Sequence, residues 1–497
     1  MRLTAPCFTI LVIALLCGPC ACDTRSEKDD ATNWFHSVTT DPLFWFKAQL
    51  SWPKPSKDVF KYLDGVRSVT SLLEGGSHNT TTTPFGYTNI PLKIPMASDS
   101  HFPIASNSKL YTTVAIYQLH EQGKLDVEVD IASMLDKQDF ENFGLGSSTR
   151  PGLGRHHLCP RLVNSLTPWK CEKITLRNLL SMSSGIYPPL NCDAPDNSHS
   201  HKLCNPDPYF VNRGSIGKTV GTFIMQPLMF RPGTSYHYSN PNFILAAYFV
   251  EKYSGMTFRE YLHKNIFGPM GLQHTYYDYF NGALGLDPKR VGQYTRYYDN
   301  HTHELLSVGA DVLQLDLGVA SGTGGIISTV QDHATFWYTL FNKTTMGAPL
   351  LSKDSLQAIL TPWTFLGERQ MQWPNGTKFP VWDYYTQGTF VVCDDAKNCG
   401  PDHLRWIMYT GGTETVLTAN LLDYRTMKMV QVWTSTQVAM TNRSTWKSIF
   451  DRQIGVPRQV VFSLMDLAYN NPMQLALAEM GRDYGQEVQD VLFRLKG

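Results

Sequence analysis

The amino-acid sequence predicts a mixed α/β (α+β) fold, in which helices flank an antiparallel sheet and a mostly helical lobe is inserted into it. Short apolar runs at 416–422 and 429–433 surround Asp423-Tyr424-Arg425, a pattern typical of a β-hairpin. Helical patterns occupy the middle of the chain, at 109–125, 242–253 and 257–267. Because strand patterns lie toward the chain ends and helical patterns between them, we expect the sheet to be built from both chain ends.

Composition limits the classes of partner. The chain has 497 residues, of which 42% are apolar and 17% charged, so it can bury a large core and does not have the composition of a disordered protein. Lys and Arg together number 43, as do Asp and Glu, and the formal net charge is zero. Since no basic field exists to attract phosphates, we expect no nucleic-acid partner.

The first 22 residues have the pattern of a signal peptide. Arg2 precedes an apolar run at 10–16, small residues follow at 18–22, and a charged stretch begins at Asp23. The apolar run is too short to span a bilayer comfortably, so we predict cleavage near residue 22 and a secreted, extracellular protein. An uncleaved anchor is the alternative. No other stretch is long and apolar enough to predict a transmembrane span in the mature chain.

Cysteine usage agrees with export. An even number of cysteines after the signal peptide predicts three disulfides, whose pairing the sequence leaves open. Joining nearest neighbours would give Cys159–Cys171, Cys192–Cys204 and Cys393–Cys399. Metal binding together with nearby histidines is the alternative, but the close ligand spacings of zinc sites are missing, so we expect no metal or cofactor. Candidate glycosylation sites in Asn-x-Ser/Thr sequons are Asn79, Asn300, Asn342, Asn375 and Asn442.

Ser106-Asn107-Ser108-Lys109 begins a helical pattern that is apolar on nearly all sides, which predicts a buried helix. A serine and a lysine three positions apart lie on one face of a helix. Among apolar neighbours the neutral form of Lys109 is favoured, so this amine can take a proton from the Ser106 hydroxyl, which is otherwise a weak nucleophile. Backbone N–H groups at the start of the helix can face a developing oxyanion.

The spacing alone does not identify a site, because Ser-x-x-Lys also occurs at Ser51, Ser215 and Ser444. Of these serines, only Ser106 begins a continuous buried helical pattern. Tyr238-Ser239-Asn240 is a second candidate motif, but Tyr-x-Asn also recurs along the chain. For either motif in isolation a structural role is the better interpretation, and the longer context decides between the two readings.

Several blocks in order along the chain resemble landmarks of the class C β-lactamases and their esterase relatives, within the serine β-lactamase and penicillin-binding-protein superfamily. The blocks are 102–109 with 122–126, 174–186, 230–240, 267–272, 321–329 and 409–413. The resemblance implies a β-lactamase/transpeptidase-like catalytic domain at 85–436. Residues 23–84 then form an N-terminal extension with part of the sheet, and 437–497 form a C-terminal helical segment.

The resemblance also implies a role for each candidate residue. Ser106 would attack a carbonyl to form an acyl-enzyme, while Lys109 and Tyr238 share its proton. Asn240 would hold Lys109 and the substrate. Water would then release the acyl group without a metal or cofactor. The oxyanion hole would use the N–H groups of Ser106 and Gly412, within a substrate-binding segment that comprises Tyr409, Thr410, Gly411 and Gly412.

Tyr409 departs from the family pattern, which has Lys or His at this position. A phenol is neutral at pH 7 and offers only a hydrogen bond, so we predict a preference for uncharged acyl donors over carboxylate-bearing β-lactams or D-Ala-D-Ala peptides. Arg405 or Lys428 could restore the missing charge by approaching the cleft.

We therefore expect a secreted serine hydrolase that acts on a small-molecule or short-peptide substrate. Its activity would be of the esterase or of the D-amino-acid-peptidase/β-lactamase type. A pseudoenzyme that keeps the fold as a secreted binding or structural protein is the alternative, which the departure at Tyr409 supports.

Overall fold

The structure is a computed structural model that describes residues 64–73, 77–145, 158–162, 171–187, 215–278, 287–299, 305–310, 322–343, 347–372, 378–412 and 416–441. The predicted signal peptide lies outside these described residues, and so does the C-terminal helical segment expected at 437–497, except for its first five residues. Also outside are Ser51, Ser444, Cys192, Cys204, Asn300, Asn375 and Asn442. Residues 437–441 form part of a strand instead of a helix, because they pair with the strand at Tyr294–Asp299. Within the described ranges, no helix has both the length and the apolar character needed to cross a bilayer.

The strands and helices occur in groups along the chain. The strands are β1 (Gly65–Leu72), β2 (His78–Phe85), β3 (Tyr87–Asn89), β4 (Ile94–Pro95), β5 (Phe102–Pro103), β6 (Tyr276–Tyr277), β7 (Tyr294–Asp299), β8 (Leu305–Ala310), β9 (Ile326–Ser328), β10 (Thr364–Gln372), β11 (Lys378–Tyr385), β12 (Phe390–Cys393), β13 (Trp406–Gly412), β14 (Leu417–Asp423), β15 (Lys428–Thr434) and β16 (Thr436–Thr441). The α-helices are α1 (Ser108–Glu121), α2 (Lys137–Asn142), α3 (Leu176–Leu180), α4 (Ile216–Gly221), α5 (Asn240–Ser254), α6 (Phe258–Leu262), α7 (Val330–Phe341) and α8 (Lys353–Leu360).

One antiparallel sheet of eight strands combines β1 and β2, from the first part of the described chain, with β10 to β15, from its last part. Its strand order is β10-β11-β12-β13-β14-β15-β1-β2. Strand β1 pairs with β15, so that Val66 lies opposite Trp433. The helices α1 to α8 all lie between β2 and β10 in sequence. The prediction of a sheet built from both sides of a helical insertion is therefore confirmed.

The hairpin predicted around Asp423 joins β14 to β15. The Asp423 carboxylate accepts hydrogen bonds from the backbone N–H groups of Arg425 and Thr426, at 2.9 and 3.0 Å. An aspartate that binds the backbone two and three residues ahead closes a tight turn. The apolar runs on both sides then pair as antiparallel strands, from Leu417 opposite Thr434 to Asp423 opposite Lys428.

Helix α1 is buried along its first three turns, as its apolar pattern predicts. All residues from Ser108 to Tyr117 are buried, and the helix packs against α5. The ring of Tyr111 stacks on Phe336 of α7 with ring centres 3.7 Å apart. Compared with the predicted 109–125, the helix begins one residue earlier, directly after the 3₁₀ turn at 105–107, and ends four residues earlier, just before Gly123 with its φ of +67°.

The middle helices also differ from their predicted bounds. Helix α5 begins at Asn240 because Pro241 suits the first turn of a helix, and Gly255 in the left-handed conformation ends it. The helix expected at 257–267 is divided into α6 and a π-helical turn at His263–Phe267.

Two of the nearest-neighbour cysteine pairs are present as disulfides. Cys159 joins Cys171 with Cα atoms 4.8 Å apart, and Cys393 joins Cys399 with Cα atoms 5.6 Å apart. Among the described sequons, Asn79 is exposed on β2, whereas Asn342 is only 6% exposed. Burial of Asn342 disfavours a glycan at that position, since a glycan must extend into solvent.

Candidate active site

Ser106 lies on a short turn between strand β5, which belongs to a three-stranded sheet with β9 and β6, and the buried helix α1. Strand β5 pairs with β9, and the 3₁₀ turn Ala105–Asn107 follows directly and leads into α1. Ala105 has a φ of +45°, an uncommon conformation for a residue with a Cβ atom. Ser106 therefore precedes α1 by two residues rather than beginning the helix, and its half-buried hydroxyl faces the side chain of Lys109.

Lys109 is fully buried beside the Ser106 hydroxyl. Its Nζ atom lies 2.9 Å from Ser106 Oγ and donates a hydrogen bond of 3.1 Å to the carbonyl oxygen of Thr323. The side chain also lies near the ring of Phe243, 5.8 Å from its centre. Burial lowers the pKa of Lys109 because the charged ammonium group loses its hydration, and this favours the neutral amine as a proton acceptor.

Tyr238 approaches Ser106 from the other side. Its hydroxyl lies 2.9 Å from Ser106 Oγ. The Met182 carbonyl oxygen accepts a hydrogen bond from the backbone of His237, and the Met182 sulfur accepts one from Ser239. The block at 174–186 thus holds the segment that carries Tyr238, which gives a physical reason for the order of these two sequence blocks.

Asn240 is the first residue of α5, but it has no hydrogen bond to Lys109 in the described part of the chain. Its buried side-chain oxygen has no hydrogen-bond partner among the described residues, whereas the Lys109 amine binds Ser106 and Thr323. The expectation that Asn240 holds Lys109 is corrected on this point, because the Thr323 carbonyl oxygen takes that place. The free oxygen of Asn240 can accept a hydrogen bond from a substrate.

Strand β13 lies against the Ser106 turn without intervening side chains. A Cβ atom on Gly411 would come within 2.1 Å of the Ile104 carbonyl oxygen and 2.8 Å of the Asn107 amide nitrogen. Glycine at this position is therefore required for the close approach of the strand. Gly412 and the half-exposed Thr410 lie on either side of it and complete the segment predicted to bind substrate.

Tyr409 is buried in β13 and its hydroxyl contacts other phenols. It lies 3.4 Å from the Tyr238 hydroxyl and 3.3 Å from that of Tyr385 on β11. Burial raises the pKa of Tyr409 well above its usual value, and negative charge on Tyr238 or Tyr385 would raise it further. Tyr409 is therefore a neutral hydrogen-bonding group at physiological pH.

Neither cation that could have replaced the missing charge lies at the site. Arg405 precedes β13 at the end opposite Gly412 and pairs with Asp423 at 3.5 Å. Lys428 begins β15, also opposite Asp423. Since a strand rises by about 3.3 Å per residue, these side chains start more than about 10 Å from Tyr409.

The other described Ser-x-x-Lys motif has a structural role. The Ser215 side chain accepts a hydrogen bond from the Lys218 backbone and caps the N-terminus of α4. A serine three residues before a lysine is here a helix cap. The remaining two motifs, at Ser51 and Ser444, lie outside the described residues.

Sequence reasoning assigned no role to Asn107, Thr323 and Tyr385. The Asn107 amide donates to Thr418 Oγ1 at 2.7 Å and accepts from Asn420 at 2.7 Å, which attaches the Ser106 turn to β14. Asn107 and Thr323 lie inside sequence blocks that resemble the family, so their positions could have suggested a role. No local pattern indicates Tyr385, because its contact depends on how β11, β12 and β13 align.

The site places one hydroxyl between an amine and a phenol. Ser106 Oγ lies 2.9 Å from Lys109 Nζ and 2.9 Å from the Tyr238 hydroxyl. This arrangement allows proton transfer away from Ser106 as its oxygen attacks an electrophile. It has the geometry of a serine hydrolase site.

A family model described as Beta-lactamase matches residues 63–449. The chain belongs to the Beta-lactamase family. The matched span is wider than the 85–436 predicted for the catalytic domain, and it includes β1 and β2. Membership of the Beta-lactamase family confirms the superfamily that the six sequence blocks resemble.

Two proteins similar to this Beta-lactamase family protein are named as penicillin-binding proteins. A penicillin-binding protein of Bacillus subtilis (strain 168) is 26% identical over 56% of the chain, and the chain spans about half the length of that relative, 52%. A penicillin-binding protein from Bacillus halodurans has a similar structure, with a TM-score of 0.53 and 21% identity over 80% of this chain and 98% of that one.

EstCE1, described as a hydrolase with promiscuous acyltransferase activity, also has a similar structure. Its TM-score is 0.55 and its identity 17%, over 79% of this chain and 93% of that one. At such low identities these structures show the shared fold, a large antiparallel sheet flanked by helices.

Proposed function

We propose that the protein is a serine hydrolase that acts through an acyl-enzyme on Ser106. The observation that carries the proposal is the position of Ser106 Oγ, at 2.9 Å from both Lys109 Nζ and the Tyr238 hydroxyl. The 3₁₀ turn Ala105–Asn107, which leads directly into α1, positions the first of these contacts, and the block at 174–186 positions the second. Family membership supports the same chemistry.

The reaction begins with net movement of a proton from Tyr238 to the neutral amine of Lys109 through the Ser106 hydroxyl, which lies 2.9 Å from both groups. The Tyr238 oxygen then takes the Ser106 proton as Oγ forms a bond to the carbonyl carbon of the substrate. Protonated Lys109 returns a proton through Tyr238 to the leaving group when the tetrahedral intermediate collapses. Water releases the acyl group by the reverse proton movements, and the N–H groups of Ser106 and Gly412 stabilise the oxyanion.

The proposed substrates are uncharged acyl donors such as short esters or amides. Tyr409 supports this preference, because it is neutral and buried where a cation would bind a substrate carboxylate. Arg405 and Lys428 lie beside Asp423, at the ends of β13 and β15 that are far from Gly412. The unpaired oxygen of Asn240 suits a substrate that carries a hydrogen-bond donor.

Covalent labelling by a fluorophosphonate tests the nucleophile. We expect the wild type to be labelled and Ser106→Ala to lose labelling completely, because the phosphonate forms its bond with Oγ. Ser215→Ala is the matched control, since it removes the serine of a second Ser-x-x-Lys motif that only caps α4. Labelling of Ser106→Ala at the wild-type rate would refute the proposal, and an unlabelled wild type would favour a pseudoenzyme.

We also propose that the protein is exported and acts outside the cell. The disulfides Cys159–Cys171 and Cys393–Cys399 support this proposal, because such bonds persist mainly in oxidising compartments. The sequence pattern of residues 1–22 supports it independently.

A further inference from the structure

A chain of tyrosine hydroxyls leads from Ser106 into the sheet. Tyr238 contacts Ser106 at 2.9 Å, Tyr409 contacts Tyr238 at 3.4 Å, and Tyr385 contacts Tyr409 at 3.3 Å. The last two side chains are 1% and 0% exposed. We propose that Tyr385 donates to Tyr409 and Tyr409 to Tyr238, so that the chain stabilises negative charge on the Tyr238 oxygen during acylation. Tyr385 is then a positioning residue that acts through Tyr409.

The direction of the chain follows from the supply of acceptors. A buried hydroxyl needs an acceptor for its single proton. In the described part of the structure, the only hydrogen-bond partner of the Tyr385 hydroxyl is Tyr409, so Tyr385 donates to it. The proton of Tyr409 is then directed to Tyr238, and the proton of Tyr238 to Ser106 Oγ.

Tyr385 and Tyr409 remain protonated, which they must in order to donate hydrogen bonds. Burial raises the pKa of Tyr385 and of Tyr409 well above the usual value of a phenol. The ring of Phe390 packs against both phenols, with its centre 4.7 Å from that of Tyr385 and 5.4 Å from that of Tyr409.

Few titratable groups face the chain. Lys109 of α1 approaches the Tyr238 ring to 4.9 Å from its centre, and Tyr236 approaches Tyr385 to 5.4 Å between ring centres. Burial raises the pKa of Tyr236 and lowers that of His237, so both stay neutral near pH 7. Among the described residues, no carboxylate is hydrogen-bonded to the three phenols of the chain.

The inference rests on the proposed function, in which the Tyr238 oxygen is negatively charged after Lys109 takes its proton. A hydrogen bond donated to that oxygen favours the charged form. In the state where Lys109 keeps the remaining proton and the Tyr238 oxygen is charged, the hydrogen bond from Tyr409 stabilises the product of deprotonation. The pair formed by Lys109 and Tyr238 then loses its first proton at a lower pH when Tyr409 and Tyr385 are intact. A neutral chain of donors thus replaces a cation at this position.

The test is the rate of fluorophosphonate labelling as a function of pH, which requires no knowledge of the substrate. We expect Tyr385→Phe to lower the labelling rate at pH 7 by about three- to tenfold, the effect of one hydrogen bond. The pH of half-maximal labelling should rise by about half a unit or more. Tyr409→Phe should show both effects at least as strongly. The double variant should match Tyr409→Phe alone, because Tyr385 acts only through Tyr409.

Tyr117→Phe is the matched control, since Tyr117 is also a buried phenol but donates to Gln387 at 2.8 Å. It should leave the pH profile unchanged. An unchanged pH profile in Tyr385→Phe would overturn the hydrogen-bond chain. So would a double variant whose labelling rate falls by the product of the two single effects. In both cases the proposed function would still stand. An unlabelled wild type would overturn the chain and the proposed function together. If Tyr385→Phe did not fold, an unchanged profile in Tyr409→Phe would overturn the chain by itself.

Discussion

Tyr409 shows how one side chain can change the charge of a site without changing its shape. The phenol lies in β13, 1% exposed, between the hydroxyls of Tyr238 and Tyr385. Its raised pKa keeps it neutral through the physiological range. A lysine in its place would add a positive charge within reach of Tyr238, and charge-assisted hydrogen bonds are stronger than neutral ones.

We expect Tyr409→Lys to shift the substrate preference toward anionic acyl donors. The ratio of kcat/KM for a neutral ester to that for a matched ester with a carboxylate should fall by about tenfold or more, equivalent to about 1.4 kcal/mol. Tyr409→Phe is the control, because it adds no charge and should lower both values similarly. A wild type that already prefers the anionic ester would contradict the prediction, as would an unchanged ratio in Tyr409→Lys.

The 3₁₀ turn Ala105–Asn107 depends on the sheet for its position. Asn107 binds Thr418 and Asn420 of β14, and Asn420 in turn accepts from Gln431 of β15 at 3.2 Å. Gln431 accepts from Ser68 of β1 at 2.9 Å. All of these side chains are buried, so each one that loses a partner leaves a polar group without a hydrogen bond.

Asn107→Ala should destabilise the fold and slow the labelling of Ser106. We expect the free energy of unfolding to fall by about 2–3 kcal/mol, because the buried amide of Asn420 loses the shorter of its two hydrogen bonds and keeps only the one to the Tyr409 carbonyl oxygen, at 3.4 Å. Denaturant unfolding and fluorophosphonate labelling give the two readouts. Asn398→Ala is the control, since that asparagine is exposed and its side chain donates a hydrogen bond to the neighbouring Asp395. Asn107→Ala with the stability and labelling rate of Asn398→Ala would disprove this role.

Local sequence patterns could predict the parts of the site that lie close together in the chain. The spacing of Ser106 and Lys109 is a helical spacing, and Tyr238 follows from the context of its block. The partner of Lys109 could not be predicted, because it depends on whether the amine turns toward Asn240 or toward the Thr323 carbonyl. Likewise, the contact of Tyr385 depends on strand register, which is a property of the assembled sheet.

For the whole fold, hydropathy indicated the sheet, the helical insertion and the buried helix α1. The division of residues 257–267 and the 3₁₀ turn before α1 could not be predicted, because tertiary packing decides the conformation of the turns at both ends of a helix.

The covalent structure of the whole chain provides a test of export. We predict that the protein made in a eukaryotic secretory system begins near residue 23, contains a third disulfide between Cys192 and Cys204, and has no free thiol. Mass spectrometry of a non-reduced digest would establish the new N-terminus and the pairing. Retention of residues 1–22, or two or more free thiols in the secreted protein, would show that the prediction is wrong.

The pairing of β1 with β15 also determines when the molecule can fold. Ser68 and Gln431, which hydrogen-bond across these strands, are 363 positions apart in the sequence. At the usual speed of translation, β1 leaves the ribosome about 20 to 70 seconds before its partner. During that interval β1 has its neighbour β2 but an open edge on the other side, where a nascent chain could pair wrongly. Synthesis should therefore depend on chaperones that cover this edge until β15 has been made.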